Sequence, residues 1–269
     1  MRKEFWMPPS SDKFYSARIV ERREISNDLW AIRVDPGGEF AYRSGQYATL
    51  GVVTPEKHHE RPYSIVSAPH EKYLEFFFEL VPHGQLTPRL HRAQVGDQIS
   101  MRKVARGSFT LDLSGGRDNH LLIATVTGVA PYVSYVRSLY QEWKTAQWSG
   151  ARRLFILEGA SRSWEMGYSD ELQKVASEVP WLTYIPTVSR PWEDEAWHGE
   201  TGRVDDLIRK YTDMWGLRPA DTKVYLCGHP EMVENTRGII RRRGWMESSI
   251  QAEAYFVPPR QGYAGEPED

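Results

Sequence analysis

The sequence predicts a two-domain fold: an antiparallel six-stranded β-barrel followed by a doubly wound five-stranded parallel α/β sheet. Three observations predict it. The hydrophobic period is that of short strands from Phe14 to about Leu113. Near His120 it switches to strands alternating with amphipathic helices. The chain has 269 residues, long for one domain and comfortable for two.

The first part contains six strand-like runs: FYSARIVERREI, LWAIRVD, QYATLGVV, YSIVSA, YLEFFFELV and DQISMRK. In the fifth, Leu74, Phe76, Phe78 and Leu80 point one way and Glu75 and Glu79 the other. The turn signals DPGG, RSG, APHEK and VGD separate the runs. One helical piece, LTPRLHRAQ, interrupts them, with Thr87 expected as its N-cap and Pro88 at the first helical position. The barrel is bounded at 12–113, and SGGRDN is the linker.

The second part, 119–257, opens on the buried run HLLIATV and the helix APYVSYVRSLYQEWK. RRLFILEG, WLTYIPTV, KVYLCG and IQAEAYF supply four further strands. YSDELQKVASEV, RVDDLIRKY and PEMVENTRGIIRRRG supply the helices between them. A sheet of this kind binds ligands at the carboxyl ends of its strands. Residues 258–269 form a C-terminal extension, and Pro258 and Pro259 are unsuited to a central strand.

Composition narrows the function classes. A net charge of −2 leaves no nucleic-acid footprint. The single cysteine, Cys227, cannot supply the four thiolates of an iron–sulfur cluster. The eight histidines show no metal-ligand spacing, so no metal is expected. No apolar run is long enough for a membrane span, and the N-terminus lacks the apolar core of a secretory signal, so the expected location is cytoplasmic.

The string HERPYSIVSAP places Arg61, Pro62, Tyr63 and Ser64 in a row. Tyr63 and Ser64 also read as an ordinary strand start, since tyrosine is a good strand former. A flavin ligand gives the string a sharper meaning. The phenol of Tyr63 would stack on the tricyclic ring, the Ser64 hydroxyl would bond its N5, and Arg61 would offer a planar fork to a pyrophosphate. In GQLTPRL, Gly84 would permit close approach, and the amides opening a helix at Thr87 would cradle phosphate oxygens.

RPYS followed by GQLT resembles the flavin-binding motifs of the ferredoxin–NADP reductase family, and TGVAPY and CGHPEM resemble its nicotinamide-site motifs. The resemblance runs over about residues 14–257 in the family's order and is strongest to the bacterial ferredoxin/flavodoxin–NADP(+) reductases. It implies a barrel holding FAD without a covalent bond and a second domain holding NADP(H). The FAD contacts implied are Arg61, Pro62, Tyr63, Ser64, Gly84, Leu86, Thr87, Tyr255 and Phe256. Tyr255 would cover the ring face opposite Tyr63, and Phe256 would lie against the adenine. The NADP contacts implied are Thr127, Gly128, Arg162, Arg190, Arg203 and Cys227, with the three arginines gripping the 2′-phosphate. Ser64, Cys227 and Tyr255 are the implied catalytic set, Cys227 standing beside the nicotinamide and not acting as a nucleophile. On residue type alone, Cys227 reads equally as a small buried hydrophobe, and each arginine alone as a surface cation.

The chain departs from the family's pattern twice. Val126 replaces the first glycine of Gly-Thr-Gly, so ordinary backbone dihedrals are expected there, because β-branched residues avoid positive φ. His229 stands where the family often has asparagine. Glu158 and Glu165 are the nearest contenders for the acidic residue that would hold an NAD ribose.

The expected function is an FAD-dependent NADP(H) oxidoreductase. It would pass a hydride between NADPH and flavin N5, then single electrons to or from a separate ferredoxin or flavodoxin. An NAD(P)H-dependent reductase component of an oxygenase, or another diaphorase, is the alternative. A flavin-free binding or regulatory module on the same scaffold is an alternative of another class.

Overall fold

A computed structural model describes residues 12–55, 57–113, 115–147 and 151–255. Its first sheet joins β1 (Phe14–Glu24), β2 (Leu29–Asp35), β3 (Tyr47–Val53), β4 (His58–Ser64), β5 (Leu74–Glu79) and β6 (Gln98–Arg102) in the spatial order β4-β3-β6-β1-β2-β5. All its pairings are antiparallel. A bridge between Ile65 and Phe76 closes the two ends into a barrel. Trp30, Ile32, Leu50, Phe76, Phe78 and Ile99 fill the interior. The alternation expected in β5 holds, but most of its outer face does not meet water; only Glu79 at its end is exposed. Phe77 and Glu75 are also buried, because the second domain covers them.

Pro62 is tolerated because β4 is an edge strand of this sheet, pairing along its length with β3 only. The helix α1 (Thr87–Arg92) follows β5, and its cap differs from expectation. Leu86 is the N-cap, and Thr87 lies inside the helix. The Thr87 hydroxyl is held instead by the Val81 amide, which donates to its Oγ1 at 3.0 Å. That bond pins the preceding loop, so the hydroxyl cannot turn to the helix.

The second sheet is parallel. It comprises β7 (Asn119–Thr125), β8 (Arg153–Ala160), β9 (Leu182–Val188), β10 (Glu200–Thr201), β11 (Thr222–Gly228) and β12 (Ile250–Ala254) in the order β10-β9-β8-β7-β11-β12. Five of these were expected. The sixth, β10, is a two-residue edge pairing with Thr187 and Val188, too short to leave a period in the sequence. Side chains alternate strictly. Leu122, Leu154, Ile156 and Tyr225 face α2 (Ala130–Lys144) and α3 (Ser169–Glu178). Leu121, Ile123, Leu157 and Leu226 face α4 (Ile208–Met214) and α5 (Pro230–Arg242).

The first of these two cores also takes in Leu29, Val66, Phe77 and Phe109 from the barrel. A polar network extends the junction. Arg137 of α2 bonds Glu75 of β5 at 2.7 Å and Glu171 of α3 at 2.7 and 2.8 Å, while Tyr168 donates to the other Glu75 oxygen at 2.7 Å. Burial alone would raise the Glu75 carboxyl; Arg137, with the Tyr168 hydrogen bond and Arg33, holds it below its ordinary value.

Candidate active site at the domain junction

The carboxyl ends of β7, β8 and β11 open onto a cavity of about 390 Å³ beside the barrel. Thr125, Val126 and Thr127 supply one wall, Gly228 to Met232 another, and Tyr255 and Glu79 the side toward the barrel. Two loops interlock at its base. A Cβ on Gly128 would lie 2.2 Å from the Cys227 carbonyl oxygen, and one on Gly228 would lie 2.3 Å from Thr125 Oγ1. Gly228 also has φ +132°. The His229 amide donates to Thr125 Oγ1 at 2.9 Å. Only glycine fits at both crossings.

This interlock explains one departure and corrects an expectation about the other. His229 is the N-cap of α5, its Nδ1 accepting from the Glu231 amide at 3.2 Å, the job an asparagine oxygen does elsewhere. Val126 does not have ordinary dihedrals: its φ is +45°. The turn between β7 and α2 is fixed by the packing of Gly128 against β11, so the valine is held in the left-handed region despite its branched side chain.

Strand alternation divides the Arg61–Ser64 row between two faces. Arg61 and Tyr63 pair with Leu50 and Ala48 and share the barrel-side face of β4. Tyr63 is half-buried, its ring 4.7 Å from Phe78 at 60°. Arg61 is exposed, and its Nη1 donates to the Glu60 carbonyl at 2.7 Å. Ser64 faces the second domain. Its hydroxyl is buried without a well-aligned hydrogen-bond partner among the described residues, and its neighbour is the Tyr255 hydroxyl.

Three strand ends therefore meet here: Ser64 from β4, Cys227 from β11, and Tyr255 just past β12. Tyr255 leaves its ring partly exposed while its hydroxyl end is enclosed between Ser64 and Cys227. Burial pushes the Cys227 thiol up, as does the nearby Glu253. A thiol so held is not a nucleophile. A buried hydroxyl without a well-aligned partner among the described residues, an available aromatic ring and an exposed guanidinium fit a flavin with its pyrophosphate. Phe256 and the 258–269 extension lie outside the described residues.

Gly84 serves its own turn: a Cβ there would press on the Val81 carbonyl oxygen at 3.0 Å and Thr87 Oγ1 at 3.2 Å. Leu86 is buried in the barrel core. Thr127 lines the cavity, as does Arg203, which bonds Asp205 at 3.2 Å and Glu231 at 3.1 Å. Arg162 and Arg190 stand just beyond Ser161 and Ser189 of the cavity wall and share the carboxylate of Glu193. Glu165 accepts from the Ser161 and Arg162 amides, closing its loop. Glu158 is fully buried, bonded by the Tyr184 hydroxyl at 2.6 Å, and turned away from the cavity. Neither acid is free to hold a ribose.

Two residues went unread in the sequence. Glu253 sits beside Cys227 in the parallel pairing, and burial raises its carboxyl to about 7. Its position two residues before Tyr255, hence on the same strand face, was the available signal. Glu79 lines the cavity, raised by burial and by Asp28 and Glu165. Only the contact between domains reveals it.

Fold and site together define a two-domain flavin- and nicotinamide-dinucleotide-binding oxidoreductase. The family described as Oxidoreductase FAD-binding domain matches residues 16–110, and Oxidoreductase NAD-binding domain matches 122–238. Ferredoxin–NADP reductase A of Sorangium cellulosum is 32% identical over 92% of this chain and 90% of its own. The ferredoxin–NADP reductase of Pseudomonas aeruginosa is 27% identical over 94% and 95%. A solved ferredoxin NADP+ reductase from Neisseria gonorrhoeae, with bound FAD and NADP, superposes with a TM-score of 0.79 at 22% identity, covering 91% of this chain and all of that one. The chain belongs to the ferredoxin/flavodoxin–NADP reductase family. Among the described residues no helix is long and apolar enough to cross a membrane, and no cluster suited to a metal ion occurs.

Proposed function

We propose that this protein is a ferredoxin/flavodoxin–NADP(+) reductase, the barrel at 12–113 holding FAD and the 119–257 domain holding NADP(H). The convergence of Ser64, Cys227 and Tyr255 between the two domains carries this reading, because it brings the ends of three separate strands to one point. Bound flavin supplies the exchange between hydride and single-electron chemistry, which the side chains themselves cannot perform.

The chain's own residues bind, orient and exclude water. Arg61 grips the pyrophosphate. Tyr63 and Tyr255 offer aromatic faces on either side. The Ser64 hydroxyl fixes the ring edge by a hydrogen bond. Tyr255 must swing out for a nicotinamide to reach the same place, which makes it a gate. Cys227 sets how closely the nicotinamide approaches. Arg162, Arg190 and Arg203 supply the charge that distinguishes a 2′-phosphate.

The purified protein is expected to be yellow and to release FAD on denaturation. Replacing Arg190 and Arg203 with alanine should erode the preference for NADPH over NADH; an unchanged preference refutes the phosphate pocket. A second reading, the reductase of an oxygenase, draws on a 29%-identical relative, the naphthalene 1,2-dioxygenase system ferredoxin–NAD(P)(+) reductase component of Pseudomonas putida. NADPH-driven cytochrome c reduction with added ferredoxin, flavodoxin or oxygenase ferredoxin separates the two by which carrier saturates.

A further inference from the structure

Two of the three arginines assigned above to the 2′-phosphate, Arg162 and Arg190, already share an anion of this chain, and Arg162 also bonds Glu165 at 2.9 Å. Glu193 accepts from Arg162 Nη2 through its Oε2, and Arg190 Nη1 lies 3.7 Å from its Oε1. One carboxylate thus bridges two guanidinium groups from two strand ends. It is held there firmly. Arg190 and Glu193 bound a single 3-10 turn over Pro191–Glu193, closed by the Glu193 amide donating to the Arg190 carbonyl at 3.0 Å. The next residue, Asp194, is buried and accepts from the Ser163 amide at 2.8 Å, and the Arg190 amide donates to the Ser161 carbonyl at 3.0 Å. The two loops form one unit, so Glu193 cannot drift away by loop motion alone. Its side chain remains about one-third exposed, as an exchangeable anion must be.

We propose that Glu193 is a specificity-determining residue that competes with the nucleotide's 2′-phosphate for Arg162 and Arg190. This rests on the reading of those arginines as the phosphate pocket. A bound 2′-phosphate, carrying between one and two negative charges, has to displace the carboxylate from the forks or sit beside it against repulsion. Either route subtracts from the affinity two free arginines would give. NAD(H), with a bare 2′-hydroxyl, meets neither cost. Glu193 therefore narrows the gap between the two nucleotides without touching the nicotinamide end.

The test is calorimetric titration of the full-length purified protein with 2′,5′-ADP and with 5′-AMP, which report on this subsite without turnover. Glu193→Gln keeps the shape and removes the charge. It should tighten 2′,5′-ADP binding about two- to fivefold, the range an exposed charge pair spans, and leave 5′-AMP unchanged. The gain should disappear when Arg162→Ala and Arg190→Ala are added. Unchanged or weaker 2′,5′-ADP binding in Glu193→Gln overturns the proposal, and so does a gain that survives loss of both arginines. The pocket reading fails separately, when Arg162→Ala/Arg190→Ala in an otherwise native chain binds 2′,5′-ADP as tightly as before.

Discussion

At the scale of single residues, two side chains are held in states their chemistry resists. Val126 at φ +45° carries backbone strain of about 1–3 kcal/mol, and its side chain lines the nucleotide cavity. Val126→Gly releases that strain but gives up the valine's packing and adds glycine's entropy cost, so the melting temperature should move little. The KM for the nicotinamide nucleotide should fall several-fold, because the wall recedes; an unchanged KM means the side chain does not limit approach. Glu158 is the other case. Burial raises its carboxyl from an ordinary 4.5 to about 7, and its Oε1 has no partner among the described residues. Below pH 4.5 the group is neutral folded and unfolded and costs nothing. From 4.5 to 7 the unfolded chain ionises while the folded one resists, so stability drains away as pH rises. Above 7 the loss levels at about 3 kcal/mol. Glu158→Gln should recover most of that at pH 8 and none at pH 4, read from denaturation midpoints at the two pH values.

At the scale of elements, the site is made by loops that follow strands, and their crossing decides its shape. The β7 and β11 ends press together through Gly128, Gly228 and the Thr125 hydroxyl. Gly128→Ala drives a methyl into the Cys227 carbonyl and should cost at least about 2 kcal/mol. It should also weaken nucleotide binding, since the same backbone shift moves the cavity floor. Chemical denaturation and NADP+ titration read the two effects. The alternation of β4 has a parallel consequence. Arg61 and Tyr63 lie on one side of the strand and Ser64 on the other, so under the proposed function the strand itself would separate pyrophosphate and ring-face contacts from the contact at the ring edge.

At the scale of the whole molecule, a shared apolar core and several ionic contacts hold the domains together, among them the Arg137 network and a Lys223–Asp112 pair at 2.7 Å. Arg137 is the hub, reaching Glu71 and Glu75 of the barrel and Glu171 of the second domain. Arg137→Met would leave the buried Glu75 carboxylate without its main partner and should cost about 3–5 kcal/mol. Adding Glu75→Gln should return part of that loss. Scanning calorimetry should show the single variant melting in a broader or divided transition as the domains uncouple.

Most of the architecture could be read in the amino-acid order, because it rests on local periods. Period two marks the barrel strands, and the switch at His120 marks the second sheet, whose strand carboxyl ends are where such sheets bind ligands. The candidate site's motifs were legible as well, because RPYS, TGVAP and CGHPEM lie at or just past strand ends, where the structure brings Ser64, Thr127 and Cys227 to the domain junction. Other features were decided by distant neighbours. The sign of the Val126 φ came from a glycine packing against another strand, and the burial of Glu75 from a domain covering the far side of β5. The edge strand β10 is too short to have a period, and the anion on Arg162 arrives from a loop about thirty residues away. Local sequence fixes which face a side chain takes; what that face then meets is a matter of tertiary packing, since desolvation and charge pairing act between atoms close in space and far apart along the chain.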